Sequence, residues 1–214
     1  MRDLLTGAFW SVASAARRRP MGDVAPIVRR PVNLDLESSY PELGIRSFGN
    51  GTLHKPALSG FELGNKRIFA IEPGDLVFSN VFAWEGGIAV VKPEDAGRFG
   101  SHRYITCLPK RDIATSSFLC FYFLTDEGLE KIRLASPGGA GRNRTLGLAA
   151  LEKIEVPVPT IGQQKWFDRL ELKVRAVLDI HVNTAEELHA VLPSVMSKTF
   201  GADLSTSTTL PNQQ

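Results

Sequence analysis

Thirty consecutive residues, 163 to 192, contain neither glycine nor proline, in a chain that has 19 glycines and 13 prolines. No other feature restricts the fold as tightly. Across and just beyond that stretch Phe167, Leu170, Val174, Val177, His181, Thr184, Leu188, Val191 and Val195 recur at alternating spacings of three and four. A mean period of about 3.5 lays such positions along one stripe of an α-helix, the seam of a coiled coil. At ~1.5 Å per residue the helix would extend about 45 Å, longer than a small globular domain needs. Pro193 is expected to end or kink it. His181 and Thr184 interrupt the apolar stripe; polar layers lower the stability of a seam while fixing register and partner number, and they equally fit a slack middle section. Spacing alone admits two arrangements, a coiled-coil arm or a long amphipathic helix folded back on its own domain.

Upstream of Val156-Pro157-Val158-Pro159 the texture changes. From Met21 to about Pro159 short apolar runs alternate with Gly, Pro, Asn and Asp, as where Arg67-Ile68-Phe69-Ala70-Ile71 meets Glu72-Pro73-Gly74-Asp75. Such punctuation means strands and turns. Residues 75–79, 87–91 and 104–108 are further strand candidates, each rich in β-branched or aromatic residues. Residues 116–134 read as one or two helices, with Thr125 placed to cap a helix starting near Asp126. A hydrophobic share of 43% over 214 residues is enough to bury a core. Only residues 205–214, built largely of Ser, Thr, Asn and Gln, have nothing to bury and read as a frayed tail.

Residues 4–16 are apolar and carry Ala13-Ser14-Ala15, but Arg17-Arg18-Arg19 follows directly, a charge order that opposes export. A short amphipathic helix or a misassigned start fits better, and a cytoplasmic location is expected. The Asn50-Gly51-Thr52 and Asn143-Arg144-Thr145 sequons then carry no meaning for glycans. Cys107 and Cys120 stand thirteen apart, with no CxxC pair and no His at ligand spacing, which argues against a disulfide framework or a zinc site.

Whole-chain charge is uninformative, with 20 basic against 17 acidic residues before Gly162 and 5 against 6 after it. A nucleic-acid surface would have to be a local patch. Catalytic motifs are missing. Gly60-Phe61-Glu62-Leu63-Gly64-Asn65-Lys66-Arg67 has the wrong spacing for a phosphate-binding loop. There is no strand, glycine-rich turn and helix unit for a dinucleotide or S-adenosylmethionine, and no segment to hold a target amine. Pro73-Gly74-Asp75 and Pro93-Glu94-Asp95 only weakly resemble a nuclease core and fit ordinary turns. No GxSxG elbow occurs, and no cysteine has a readable His partner. Neither cofactor nor metal is expected.

Three clusters do stand out. Ser136-Pro137-Gly138-Gly139-Ala140-Gly141-Arg142-Asn143-Arg144-Thr145 combines glycines, which let a backbone approach a partner, with Arg and Asn, whose forked donors suit guanine, phosphate and adenine edges. Gly100-Ser101-His102-Arg103-Tyr104 and residues 45–55, with Arg46, Phe48 and Asn50, repeat the theme of a cation, a hydroxyl or amide, and an aromatic. Each alone equally fits a surface loop. Together, in a chain without catalytic constellations, they have the profile of a recognition surface. Trp84 beside Gly86-Gly87 reads as turn packing in preference to a stacking platform.

An ordered series of segments now resembles a known family. Tyr40-Pro41-Glu42-Leu43-Gly44-Ile45-Arg46-Ser47-Phe48-Gly49, Gly74-Asp75-Leu76-Val77-Phe78-Ser79, Ala83-Trp84-Glu85-Gly86, Ser101-His102-Arg103-Tyr104 and Arg142-Asn143-Arg144-Thr145-Leu146 are similar to a target recognition domain of the specificity subunits of type I restriction-modification enzymes. Leu151-Glu152-Lys153-Ile154-Glu155-Val156-Pro157-Val158-Pro159 followed by Gln163-Gln164 resembles that family's Ile-Pro-Leu-Pro junction and the Glu-Gln that opens its conserved helix, with Gln163 in place of the acidic residue. The segment from Met196 to Leu204 resembles the closing Lys-Ala-Phe-x-Gly-Glu-Leu, with Gly201 shifted by one.

The resemblance implies an α+β fold, one mixed-sheet target recognition domain followed by a long C-terminal coiled-coil helix. The expected divisions are an N-terminal extension at 1–20, the recognition domain at 21–160, the helical arm at 161–204 and a disordered tail at 205–214. It implies a non-catalytic subunit that reads one half of a bipartite duplex DNA target and directs methyltransferase and motor-nuclease partners. Full subunits carry two recognition domains and two helices, so a chain with one of each implies half a reader, able to pair with itself or with another half, or a decayed fragment. The alternative is a stand-alone nucleic-acid or protein interaction module. Expected DNA contacts are Arg46, Lys66, Arg67, Ser101, His102, Arg103, Arg142, Asn143 and Arg144. Phe167, Leu170, Val174, Val177, His181, Leu188 and Val191 are the expected partner interface. No membrane association is expected.

Overall fold

The computed structural model describes residues 2–138 and 144–200. Two compact units divide the chain, Met1–Asp168 and Arg169–Gln214. The first begins with α1 (Arg2–Ala13), β1 (Arg18–Pro20), α2 (Met21–Val24) and β2 (Ile27–Val28), then a hairpin of β3 (Ser39–Ile45) and β4 (Thr52–Ser59). After it come α3 (Gly60–Leu63), β5 (Ile68–Ala70), β6 (Leu76–Ser79), a 3-10 turn at Ala83–Glu85 and β7 (Ile88–Val90). A second 3-10 turn, Pro93–Asp95, leads to β8 (Phe99–Ser101) and β9 (Tyr104–Cys107). Helices α4 (Ser116–Phe123), α5 (Asp126–Leu134) and α6 (Leu148–Glu152), strand β10 (Glu155–Pro157) and the long α7 (Ile161–Phe200) complete the order.

The strands at 68–70, 76–79, 88–90 and 104–107 occupy the runs expected from their punctuation. They do not share one sheet. An antiparallel sheet has the order β2-β9-β6-β7, and a second has the order β4-β3-β8-β5, in which β3 and β8 run parallel. A two-strand ribbon pairs β1 with β10. The expected α+β architecture is present, with two four-stranded sheets of which the second is mixed. β6 is buried along its whole length, so its run Leu76-Val77-Phe78 is continuously apolar instead of alternating.

Residues 116–134 form two helices, and the break is chemical. The Thr125 Oγ1 accepts the Gly128 N–H at 3.2 Å, capping α5. A Cβ at Gly128 would lie 2.1 Å from the Tyr122 carbonyl oxygen, so glycine is what lets α5 start against the end of α4. Phe9 of α1 is fully buried among Phe118, Phe121, Tyr122 and Phe167, with ring centres 4.7 to 6.4 Å away. Residues 2–20 thus supply part of the first unit's core and a strand of its ribbon. Arg18 makes a two-pronged bond to the Glu127 carboxylate beside the Tyr122 hydroxyl, tying β1 to α4 and α5.

α7 opens with a reciprocal capping pair. The Thr160 Oγ1 accepts the Gln163 N–H and the Gln163 side-chain amide oxygen Oε1 accepts the Thr160 N–H, while the fully buried Gln164 side chain donates to the Ile113 and Pro159 carbonyls and accepts from the Thr115 N–H. Phe167, expected at a partner interface, is instead 0% exposed in the aromatic core, because this first part of the helix belongs to the first unit. Farther along, Leu170 and Val174 are half-buried, and Val177, His181 and Thr184 are exposed. Pro193 does not end the helix, which runs on to Phe200 at the cost of one backbone hydrogen bond. The side chains of Leu188 and Val191 and all of 201–214 lie outside the described residues. No helix among the described residues is long and apolar enough to cross a membrane.

Candidate functional site

The carboxylates that weakly resembled a nuclease core are consumed by the fold. Asp75, with no exposed surface, takes both Arg30 guanidinium nitrogens at 2.7 and 3.1 Å and the Glu72 N–H at 2.9 Å. Asp95, equally buried, accepts from the Thr52 hydroxyl and the Lys92 N–H and lies 2.8 Å from the His54 Nε2. Burial alone would raise its carboxyl, but the bonds from Lys92, His54 and Thr52 outweigh it and hold Asp95 below the ordinary carboxylate range. Burial pushes the Cys107 thiol up to about 12, which keeps it protonated and without nucleophilic character at neutral pH. Two of the three expected recognition loops are fully visible, and part of the third.

The loop at 80–87, between β6 and β7, holds them together. Asn80 donates its N–H to the Arg103 carbonyl at 2.8 Å and accepts the Leu146 N–H at 2.7 Å, joining the 101–103 turn to the end of the 136–145 loop. Glu85 and Gly86 accept the N–H groups of Phe48 and Gly49 at 2.8 and 2.9 Å, joining the β3–β4 turn. Gly86 adopts φ +76°, and a Cβ there would press on the Phe48 backbone at 3.3 Å, so the approach of the two loops needs glycine. Trp84 anchors the loop through its indole N–H to the Val81 carbonyl at 2.9 Å. The Arg144 guanidinium lies 5.6 Å from the Trp84 ring centre, within cation–π range. Trp84 is therefore turn packing, as expected, and also a seat for one of the candidate arginines.

On another part of this assembly a groove of about 480 Å³ is lined by Lys66, Arg67, Ser101, His102 and Arg103, five of the nine expected contacts. Leu53, Leu63 and Ile68 contribute apolar surface to it. The α3–β5 connection supplies Lys66 and Arg67, the end of β8 supplies Ser101 and the β8–β9 turn His102 and Arg103, and the β5–β8 pairing brings these segments together. Arg46 is exposed at the neighbouring turn, with one guanidinium nitrogen on the Thr52 carbonyl at 3.0 Å. Elsewhere Arg18, Arg30 and Lys131 are each matched to a carboxylate, whereas Arg19 and Arg111 have no such partner among the described residues. Among the described residues Arg46, Lys66, Arg67, Arg103 and Arg144 have none, which leaves their positive charge for an external anion. Arg142 and Asn143 lie outside the described residues.

Sequence reading missed Asn80 as the junction of two loops. Its side chain type gave no signal, because the work is done by backbone groups whose partners are distant in the chain.

The family model described as the type I restriction modification DNA specificity domain matches residues 19–190. Among solved structures, one described as the HsdS subunit from Thermoanaerobacter tengcongensis aligns with a TM-score of 0.60 at 18% identity, covering 91% of this chain and 51% of that one. Another, from work on complex assembly and conformational transition of the type I R-M system, aligns with a TM-score of 0.64 at 16% identity and the same coverage of 91% and 51%. The chain spans about half the length of both, and at these identities the likeness is one of fold. No curated protein is significantly similar to the chain.

Proposed function

Because the chain belongs to the type I restriction modification DNA specificity domain family, we propose that it selects one half of a bipartite duplex DNA target, in the cytoplasm, without cutting or methylating it. The observation that carries this reading is the set of cations without carboxylate partners, gathered by the 80–87 segment and by the β5–β8 pairing. Phosphate contacts from such a surface give position and salt dependence, and side chains reaching base edges give sequence. Arg144, seated on Trp84, and Arg103, at the rim of the groove, are the candidates for base contact; Lys66, Arg67 and Arg46 suit phosphates. Ser101 and His102 complete the groove rim as polar contacts, and Arg142 and Asn143, next to Arg144 in the sequence, remain proposed contacts.

The partners in this reading are a methyltransferase subunit and a motor-nuclease subunit, which do the chemistry. α7 is their docking arm or the seam of a pair with a second half-reader. Its support is the apolar surface along the described part of the helix, where the seam residue Val177 is 46% exposed. Leu170, Val174, Val177 and His181 remain the proposed seam, continued by Leu188 and Val191.

Competition binding with a duplex selected by the chain and a scrambled duplex, each at two salt concentrations, tests the reading. Affinity should fall steeply with salt on both duplexes and favour the selected one. Equal affinity for both, preference for single strands, or cleavage or methylation by the pure chain would overturn it.

A further inference from the structure

The β3–β4 turn contains the one non-glycine residue among those described with positive φ, Phe48 at +61°. A phenylalanine there is strained, whereas glycine or asparagine adopts this conformation readily. Glycines do occupy the other left-handed positions of this turn, Gly49 at +69° and Gly51 at +74°. Nor does burial repay the strain, because Phe48 is 77% exposed. Its backbone is nonetheless pinned, through its own N–H on the Glu85 carbonyl and that of Gly49 on Gly86. A large apolar ring is thus held out from a pinned turn, two residues from Arg46 and against the loop that carries Trp84, on whose ring Arg144 is seated.

We propose that Phe48 is a wedge that enters the base stack of duplex DNA beside the phosphate contact of Arg46. The inference rests on the DNA-reading role proposed above and adds a residue and a mode of contact to it. A fixed apolar ring can replace a neighbouring base in the stack and kink the duplex at that step, a contact made through a π-face and shape instead of hydrogen bonds. Specificity follows from the step that yields most readily, so this turn reads deformability while Arg103 and Arg144 read edges. The strain is retained because glycine, the residue the backbone favours, has no ring to insert.

The test uses the full chain and a short duplex that it selects from a random pool, with 2-aminopurine placed at successive positions. Wild type should raise the fluorescence of 2-aminopurine at one step, where stacking is broken. Phe48→Gly and Phe48→Asn, both compatible with positive φ, should abolish that rise and weaken binding about tenfold or more. The salt slope should not change, since no phosphate contact is lost, whereas Arg46→Ala should lower it by about one unit. Neither Phe48 variant should lower Tm. If the duplex is bound but no position responds, or if both variants keep wild-type affinity, the wedge is overturned and the DNA reading stands. Loss of affinity only in parallel with a fall in Tm also overturns it. A chain that selects no duplex overturns both.

Discussion

If Trp84 seats Arg144 for base contact, the two residues must be coupled in DNA binding and not merely in stability. The Arg144 guanidinium lies 5.6 Å from the ring centre, and both side chains are half-buried. A cation–π contact in such a setting is worth about 1 kcal/mol, between the ~0.5 of exposed sites and the ~2 of desolvated ones. Arg144→Ala should cost ~1–3 kcal/mol on the selected duplex if it reads a base edge, and much less on scrambled DNA. Trp84→Leu leaves the arginine present but unseated, so about 1 kcal/mol, roughly fivefold in affinity, should be lost in the wild-type background and almost none when Arg144 is already alanine. Trp84→Phe separates the ring from the indole N–H that bonds Val81: it keeps a π-face, and most of the affinity should survive. The assay is a double-mutant cycle by competition binding at fixed salt. A coupling below about 0.3 kcal/mol would show that Trp84 only packs the turn and would remove the reason for placing Arg144 at a base.

Three other outcomes follow from the same structure. Asp75→Ala strands the Arg30 guanidinium, which is largely buried, and should destabilise the first unit by about 3–5 kcal/mol in urea denaturation; a loss under about 1 kcal/mol would mean that Glu72 replaces the partner. Burial works to raise the Glu127 carboxyl, but bonds from Arg18, Lys131 and Tyr122 take it down to about 2. Its folded value is depressed, so the stability it contributes is present above its ordinary range near ~4.3 and is lost as pH falls toward about 2; Glu127→Gln should flatten the pH dependence of unfolding in that window and leave neutral pH slopes alone. Val174→Glu with Leu188→Glu should abolish self-association or partner docking in light scattering while leaving the near-ultraviolet spectrum of the first unit unchanged, and an unaltered assembly mass would reject the proposed seam.

The local elements were legible in the sequence because their causes are local. Glycine, proline and asparagine punctuation placed the strands at 68–70, 76–79, 88–90 and 104–107, Thr125 marked the start of α5, and the absence of helix breakers from 163 to 192 required a long helix. Five of the nine expected contacts line one groove, and it is the β5–β8 pairing that brings their segments together. Tertiary structure decided what depends on pairing between distant segments. Which strands share a sheet follows from ladders such as β3 with β8 and β6 with β9, and no residue pattern records them. Phe167 sits in the right register for a helical seam, yet Phe9, 158 positions earlier, takes it into the core. The 80–87 loop gathers its neighbours through the backbone groups of Asn80, Glu85 and Gly86, and every residue carries such groups, so only the fold could reveal which ones meet.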